Sequence, residues 1–153
     1  MKIRIEFDEQ LKEEEVIIRC STLSEKVQKI QNLLSDMADT PKNIILFKND
    51  TEYYLNLDKI LFFETGINGV DAHTIDDVFQ TKYKLYELEE LLPGTFMRIS
   101  KSTILNTNMV YAINRNITAA SSIEFLNTHK QVYVSRNYYK ALKSKLEEKR
   151  MRS

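Results

Sequence analysis

Ile44-Ile45-Leu46-Phe47-Lys48-Asn49-Asp50-Thr51-Glu52-Tyr53-Tyr54-Leu55-Asn56 reads as strand, tight turn, strand. β-Branched and aromatic residues suit a pleated, half-buried surface, and Asn-Asp tolerates the backbone of a short turn. Further strand-like runs follow at once: Ile60 to Glu64, Val70 to Thr74 and Val78 to Gln80, with Gly66 and Asn68-Gly69 between the first two where positive φ is allowed. Such closely spaced runs imply antiparallel β structure rather than βαβ units. Lys84 to Leu92, with Leu85, Leu88, Leu91 and Leu92 apolar, is expected to form a short helix stopped by Pro93-Gly94. Strands are expected again at Phe96 to Ile99, Val110 to Asn114, Ser122 to Leu126 and Gln131 to Val134. A last helix, capped by Ser135, should run from about Arg136 to Lys149 with Tyr138 or Tyr139, Leu142 and Leu146 turned inward. The fold class is mainly β with short helices, α+β.

Upstream, Met1 to Phe7 alternates, with Ile3, Ile5 and Phe7 on one face and Lys2, Arg4 and Glu6 on the other. Glu15 to Cys20 is a second strand candidate. Thr22 or Ser21 can then cap a helix whose apolar positions are Val27, Ile30, Leu33, Leu34 and Met37. Residues 1–40 are thus expected to form a β-β-α segment, a dimerisation or regulatory unit, bounded near Pro41. Residues 43–148 form the main domain, and 149–153 a basic C-terminal tail.

The whole chain has 153 residues, 42% of them apolar, with three Gly and two Pro. That supports one compact domain and a smaller segment, and excludes a large multidomain enzyme or a disordered chain. The single cysteine, Cys20, cannot close an internal disulfide and reads as a small buried hydrophobe. No signal peptide or long apolar run is present, so a cytoplasmic location is expected. The formal charge is zero, but its distribution is uneven: residues 1–40 carry −3, residues 41–95 carry −5, and residues 96–153 carry +8. The field near the basic third, rather than the net charge, steers an anionic partner.

Motif chemistry is absent. No nucleophile elbow, phosphate-binding glycine loop, dinucleotide fingerprint or zinc-protease helix occurs. His73 and His129 lack partners at metal-ligand spacing, and the side chains of Asp76-Asp77 and Glu89-Glu90 diverge as neighbours must. An enzyme, a metal, a cofactor and a small-molecule substrate are therefore not expected.

Three polar clusters remain at strand ends or loops: Gly66-Ile67-Asn68-Gly69, Arg98-Ile99-Ser100-Lys101-Ser102 and Ser135-Arg136-Asn137. Arg and Lys can donate to guanine edges or phosphates, and Ser hydroxyls and free N–H groups at a helix start suit phosphate oxygens. Arg136 lies at the positive end of its helix dipole, a conflict an external anion relieves. Lys140, Lys143 and Lys145 suit phosphate contact or a solvated helix face equally. Arg98 could hold phosphate or an acidic neighbour. The residues alone also allow a protein-interaction module whose basic patch binds an acidic partner.

Phe62-Phe63-Glu64, Tyr83 to Leu92, Phe96-Met97-Arg98-Ile99-Ser100-Lys101-Ser102-Thr103-Ile104-Leu105-Asn106 and Val134-Ser135-Arg136-Asn137-Tyr138 together resemble a LytTR DNA-binding domain over about residues 43–148. The resemblance implies an elongated fold of short antiparallel sheets whose loops enter successive major grooves, in bacterial transcription factors that bind imperfect direct repeats. With the polar clusters and the basic helix, the candidate DNA contacts are Asn68, Arg98, Ser100, Lys101, Ser102, Ser135, Arg136, Asn137 and Lys140, among which the resemblance marks the base-reading positions. Base reading falls on Asn68 to Val70, Lys101 and Arg136. The chain resembles the stand-alone LytTR regulators, which have no receiver domain. That implies double-stranded promoter DNA as partner and control by a separate membrane protein or by dimerisation; a homodimer contact is expected through residues 1–40, from their acidic surface and apolar helix face.

Overall fold

The computed structural model describes residues 1–37 and 42–152. The chain forms two compact units, residues 1–38 and 39–153. The boundary expected at Pro41 lies outside the described residues.

In the first unit the regular element is helix α1 (Glu25–Met37). Its cap is Ser24, not the expected Thr22 or Ser21. The Ser24 hydroxyl accepts the Val27 N–H at 3.3 Å, and its carbonyl accepts the Gln28 N–H at 3.0 Å. Val27, Ile30 and Leu34 are half-buried, whereas Leu33 is exposed. The two strands expected before it are not formed: residues 1–24 contain none, Ile3, Ile5 and Phe7 are all exposed, and Cys20, expected to be buried at the end of the second strand, is exposed as well because no ladder covers it. Alternation supplies a strand's faces but not its ladder, which needs a neighbour's backbone.

The second unit holds ten strands: β1 (Asn43–Lys48), β2 (Thr51–Asn56), β3 (Phe62–Gly66), β4 (Gly69–His73), β5 (Val78–Thr81), β6 (Phe96–Arg98), β7 (Thr103–Asn106), β8 (Val110–Asn114), β9 (Ser121–Phe125) and β10 (Gln131–Val134). Helix α2 (Leu85–Leu91) lies between β5 and β6, and α3 (Arg136–Arg152) follows β10. The first seven strands form one antiparallel sheet in the order β2-β1-β5-β4-β3-β7-β6, and the last three form a second in the order β10-β9-β8. The expected basic tail is not separate. Helix α3 continues through it to Arg152, because Lys, Glu, Arg and Met are strong helix formers.

Cross-strand pairs Phe62–Leu105 and Phe63–Ile104 explain the layers. Adjacent strand residues point to opposite faces, so each pair feeds a different core. Phe63 and Ile104 join Leu46, Ile60 and Ala72 beneath Leu85 and Leu88 of α2. Phe62 and Leu105 join Ile123, Val132 and Val134 of the second sheet and Leu142 of α3. The large sheet is thus sandwiched between α2 and the small sheet with α3. Strand β7 had no place among the sequence expectations. All four of its residues are buried, so the alternation that marks a half-exposed strand is missing.

Asparagines anchor two short 3-10 turns. Asn56 Oδ1 accepts the Asp58 N–H at 2.8 Å, and Asn106 Oδ1 accepts the Asn108 N–H at 3.1 Å. Asn106 also donates its amide to the buried Ile60 carbonyl at 2.9 Å, tying β7 to the start of β3. The Lys130 ammonium donates to the Asp77 carbonyl at 2.6 Å, linking the β9–β10 turn to the β4–β5 turn.

His73 stacks on Phe62 with ring centroids 4.3 Å apart, and its Nδ1 is buried without a hydrogen-bond partner among the described residues. Burial, reinforced by the charge of Lys130, pushes the imidazole pKa down to about 4. Its folded value lies below its unfolded one, so the stabilisation is complete above about pH 6.5 and is lost as pH falls towards 4. The loss is on the order of 2 kcal/mol for a partly exposed ring. Urea unfolding at pH 7 and pH 4.5 should show it, and His73→Phe should reduce the difference between the two midpoints.

Candidate nucleic-acid interface

The β3–β4 hairpin closes with Gly66 opposite Gly69, leaving Ile67 and Asn68 at its tip. Gly69 has φ of +121°, a backbone region open to glycine but strained for other residues. Asn68 is exposed and Ile67 is fully so.

The loop between β6 and β7 is held from inside by Arg98. Its Nε donates to the Ser100 carbonyl at 2.7 Å, one terminal nitrogen donates to the Lys101 carbonyl, and the other pairs with the Glu89 carboxylate on α2. Arg98 therefore faces its acidic neighbour and the loop backbone. Ser100 is likewise engaged within the loop: its Oγ accepts the Ser102 N–H at 3.2 Å and lies 3.4 Å from Ser102 Oγ. Lys101, at the tip, is exposed.

Two backbone hydrogen bonds join the three clusters that are scattered along the chain. The Thr65 N–H donates to the Ser102 carbonyl at 2.9 Å, setting the β3–β4 hairpin against the β6–β7 loop. The Ser135 N–H donates to the Ile99 carbonyl at 2.9 Å, setting the start of α3 against the other side of that loop. The order across the surface is hairpin, loop, helix start. Loops held this rigidly by a sheet are suited to recognition.

Ser135 begins α3 with its carbonyl, which accepts the Tyr138 and Tyr139 N–H groups at 3.0 and 3.1 Å. The N–H groups of Arg136 and Asn137, ahead of these, have no intrahelical acceptor. Arg136, Asn137 and Lys140 are exposed. Leu142 is buried with Tyr138, Tyr139 and Leu146 packed around the same core, so Arg136, Lys140 and Lys143 fall in one outward stripe at i, i+4 and i+7.

The structure adds residues that the sequence did not single out. Arg115, whose guanidinium lies 5.1 Å from the Tyr139 ring centroid, shares a surface depression with Asn116 and Arg136. On the opposite flank, Asn68 shares a concavity of about 720 Å³ with Lys82 and Lys84, and the Lys82 ammonium sits 4.5 Å from the Phe47 ring centroid. Lys82 and Lys84 come from the acidic middle third, where a segment charge count hides them. Ile67 was legible only as an apolar residue inside a two-residue turn, and it suits the methyl group of thymine. Between β3 and β4, Glu64 faces Asp71, and burial followed by that like charge raises the Glu64 pKa.

Residues 50–147 match the family described as the LytTr DNA-binding domain. The chain belongs to the LytTR family. Two relatives from Staphylococcus aureus strains NCTC 8325 / PS 47 and COL, each described as an uncharacterized HTH-type transcriptional regulator, are 28% identical over 148 residues, which span 95% of this chain and 98% of theirs. The solved structure of a LytTr DNA-binding domain from Bacillus cereus superposes with a TM-score of 0.62 at 24% identity, covering 68% of this chain and 95% of that one. That likeness is one of fold. Among the described residues of this LytTR chain, strands separate each helix from the next, so no helix-turn-helix is formed. No group of His, Cys, Asp or Glu among them could hold a metal ion, and no described helix is long and apolar enough to cross a membrane.

Glu89→Gln tests the internal support of the β6–β7 loop in the LytTR domain. The Arg98–Glu89 pair is partly exposed, so its removal should cost at most about 1 kcal/mol of stability. If the loop presents Lys101 to DNA, the same substitution should reduce discrimination between specific and random duplexes several-fold, read by fluorescence anisotropy.

Proposed function

We propose that this protein is a sequence-specific, double-stranded DNA-binding transcriptional regulator that reads the major grooves of direct repeats through loops. The observation that carries the reading is the pair of backbone hydrogen bonds, Thr65 to Ser102 and Ser135 to Ile99, that joins three exposed polar clusters into one face. Lys101 and Arg136 supply base contacts, with Asn68 and Ile67 at the hairpin tip reading an adjacent groove. Ser102, Ser135, Asn137 and the α3 stripe of Lys140 and Lys143 hold phosphates. Arg98 and Ser100 act chiefly by shaping the loop. Two copies acting on paired repeats in the cytoplasm, under a membrane-protein regulator, complete the reading.

Affinity then comes largely from counterion release, with log K falling against log salt by roughly 0.9 per phosphate neutralised. Footprinting and anisotropy on duplexes from upstream of the protein's own coding region test this. Protection of spaced repeats, with a steep salt slope and preference over random DNA, is the expected result. Binding equal on every duplex, or absent while an acidic protein is bound, overturns it in favour of a basic protein-interaction patch.

A further inference from the structure

Residues 2–8, Lys2-Ile3-Arg4-Ile5-Glu6-Phe7-Asp8, have the alternation of a strand but no ladder among the described residues. The Arg4 guanidinium lies 2.9 Å from the Glu6 carboxylate, two residues on, which fits side chains placed on one face of a strand. Ile3, Ile5 and Phe7 on the other face are 89%, 76% and 92% exposed.

The charges indicate what completes the ladder. Paired antiparallel with itself about Ile5, the segment sets Lys2 opposite Asp8, Arg4 opposite Glu6, Ile3 opposite Phe7 and Ile5 opposite Ile5. Every charged pair is then of opposite sign and every apolar residue meets an apolar one. The alternative is a hairpin within the chain against Val16-Ile17-Ile18-Arg19-Cys20. The one register that gives it three apolar pairs, Ile3 to Cys20, Ile5 to Ile18 and Phe7 to Val16, opposes like charges, Arg4 to Arg19 and Asp8 to Glu15.

We infer that residues 2–8 form an antiparallel strand pair with the same segment of a second copy, related by a two-fold axis at Ile5. A two-stranded ribbon is marginal by itself. Val16, Ile17, Ile18 and Leu23, all exposed in the single chain, supply the apolar surface to cover it. Residues 1–23 expose nine large apolar side chains. At roughly 60–120 Å² withdrawn from water for each, that is about 500–1,100 Å² per copy, which brackets the ~800 Å² typical of one side of a stable interface. The inference does not depend on DNA binding, since it concerns the protein alone.

Sedimentation of the full chain tests it. The unsubstituted protein should be a dimer at micromolar concentration. Arg4→Glu sets like charges against each other twice across the axis and should weaken association about tenfold or more, while Arg4→Glu with Glu6→Arg should restore it. In a Cys20→Ser background, Ile5→Cys should cross-link to its own copy on mild oxidation far faster than Lys2→Cys, because only position 5 faces itself at about 4.5–5.5 Å between Cα atoms. A monomer at every concentration, a dimer indifferent to Arg4→Glu, or equal cross-linking at both positions overturns the inference. Circular dichroism unchanged among the variants shows that the β domain is intact in each.

Discussion

Substituting both Lys101 and Arg136 by Ala is expected to remove most discrimination between the target repeat and random DNA while leaving the fold intact. Each side chain is exposed, so neither contributes to a core. A good bidentate base contact is worth about 1–3 kcal/mol of discrimination, and two independent ones about 2–6 kcal/mol. The β6–β7 loop and the start of α3 are separately supported, the first by Arg98 and the second by the Ser135 N–H bonded to the Ile99 carbonyl. Losing one tip should therefore leave the other in place. Lys140→Ala with Lys143→Ala is the contrasting pair: it should weaken specific and random duplexes alike and lower the salt slope by about one for each phosphate no longer neutralised. Anisotropy titrations at several salt concentrations distinguish the two patterns. If the Lys101/Arg136 variant weakens both duplexes equally, those side chains touch only phosphate.

The largest effect on stability is expected from Phe63→Ala, at about 3–5 kcal/mol. Phe63 is fully buried in the core under α2, beside Phe96 at a centroid distance of 5.8 Å, and it pairs across the sheet with Ile104. A ring removed there leaves a cavity lined by strands on both sides, which cannot collapse without breaking the β3–β7 ladder. Against a total of about 5–15 kcal/mol for a domain of this kind, such a loss brings the protein close to unfolding at 37 °C. Chemical denaturation gives the measure. Phe63→Leu, which keeps much of the volume, should retain most of the stability. Because β3 carries the hairpin that meets the β6–β7 loop, DNA binding by Phe63→Ala should fall in step with the folded fraction.

Local pattern in the amino-acid sequence determined the elements of the β domain. β-Branched and aromatic residues from Ile44 to Phe47, ended by the Asn49-Asp50 turn, marked β1, the leucine spacing placed α2, and Pro93-Gly94 ended it, since each of these follows from a residue's own geometry and its near neighbours. Lys101, Arg136 and Asn68 were legible as candidate contacts for the same reason: charged or polar side chains at strand ends face water unless something covers them. Tertiary structure alone decided the rest. Strand β7 has both faces covered and so carries no alternation to read. Residues 1–7 have the alternation but no neighbour among the described residues to ladder with. The role of Arg98 depended on where Glu89 of α2 comes to lie, and Arg115, Lys82 and Lys84 joined the face only when distant strands paired. That the hairpin, the loop and the helix start form one surface rests on two hydrogen bonds between residues distant in the chain, Thr65 to Ser102 and Ser135 to Ile99. Backbone N–H and C=O groups are the same at every residue, so such pairings leave no mark on residue identity and are set by the fold as a whole.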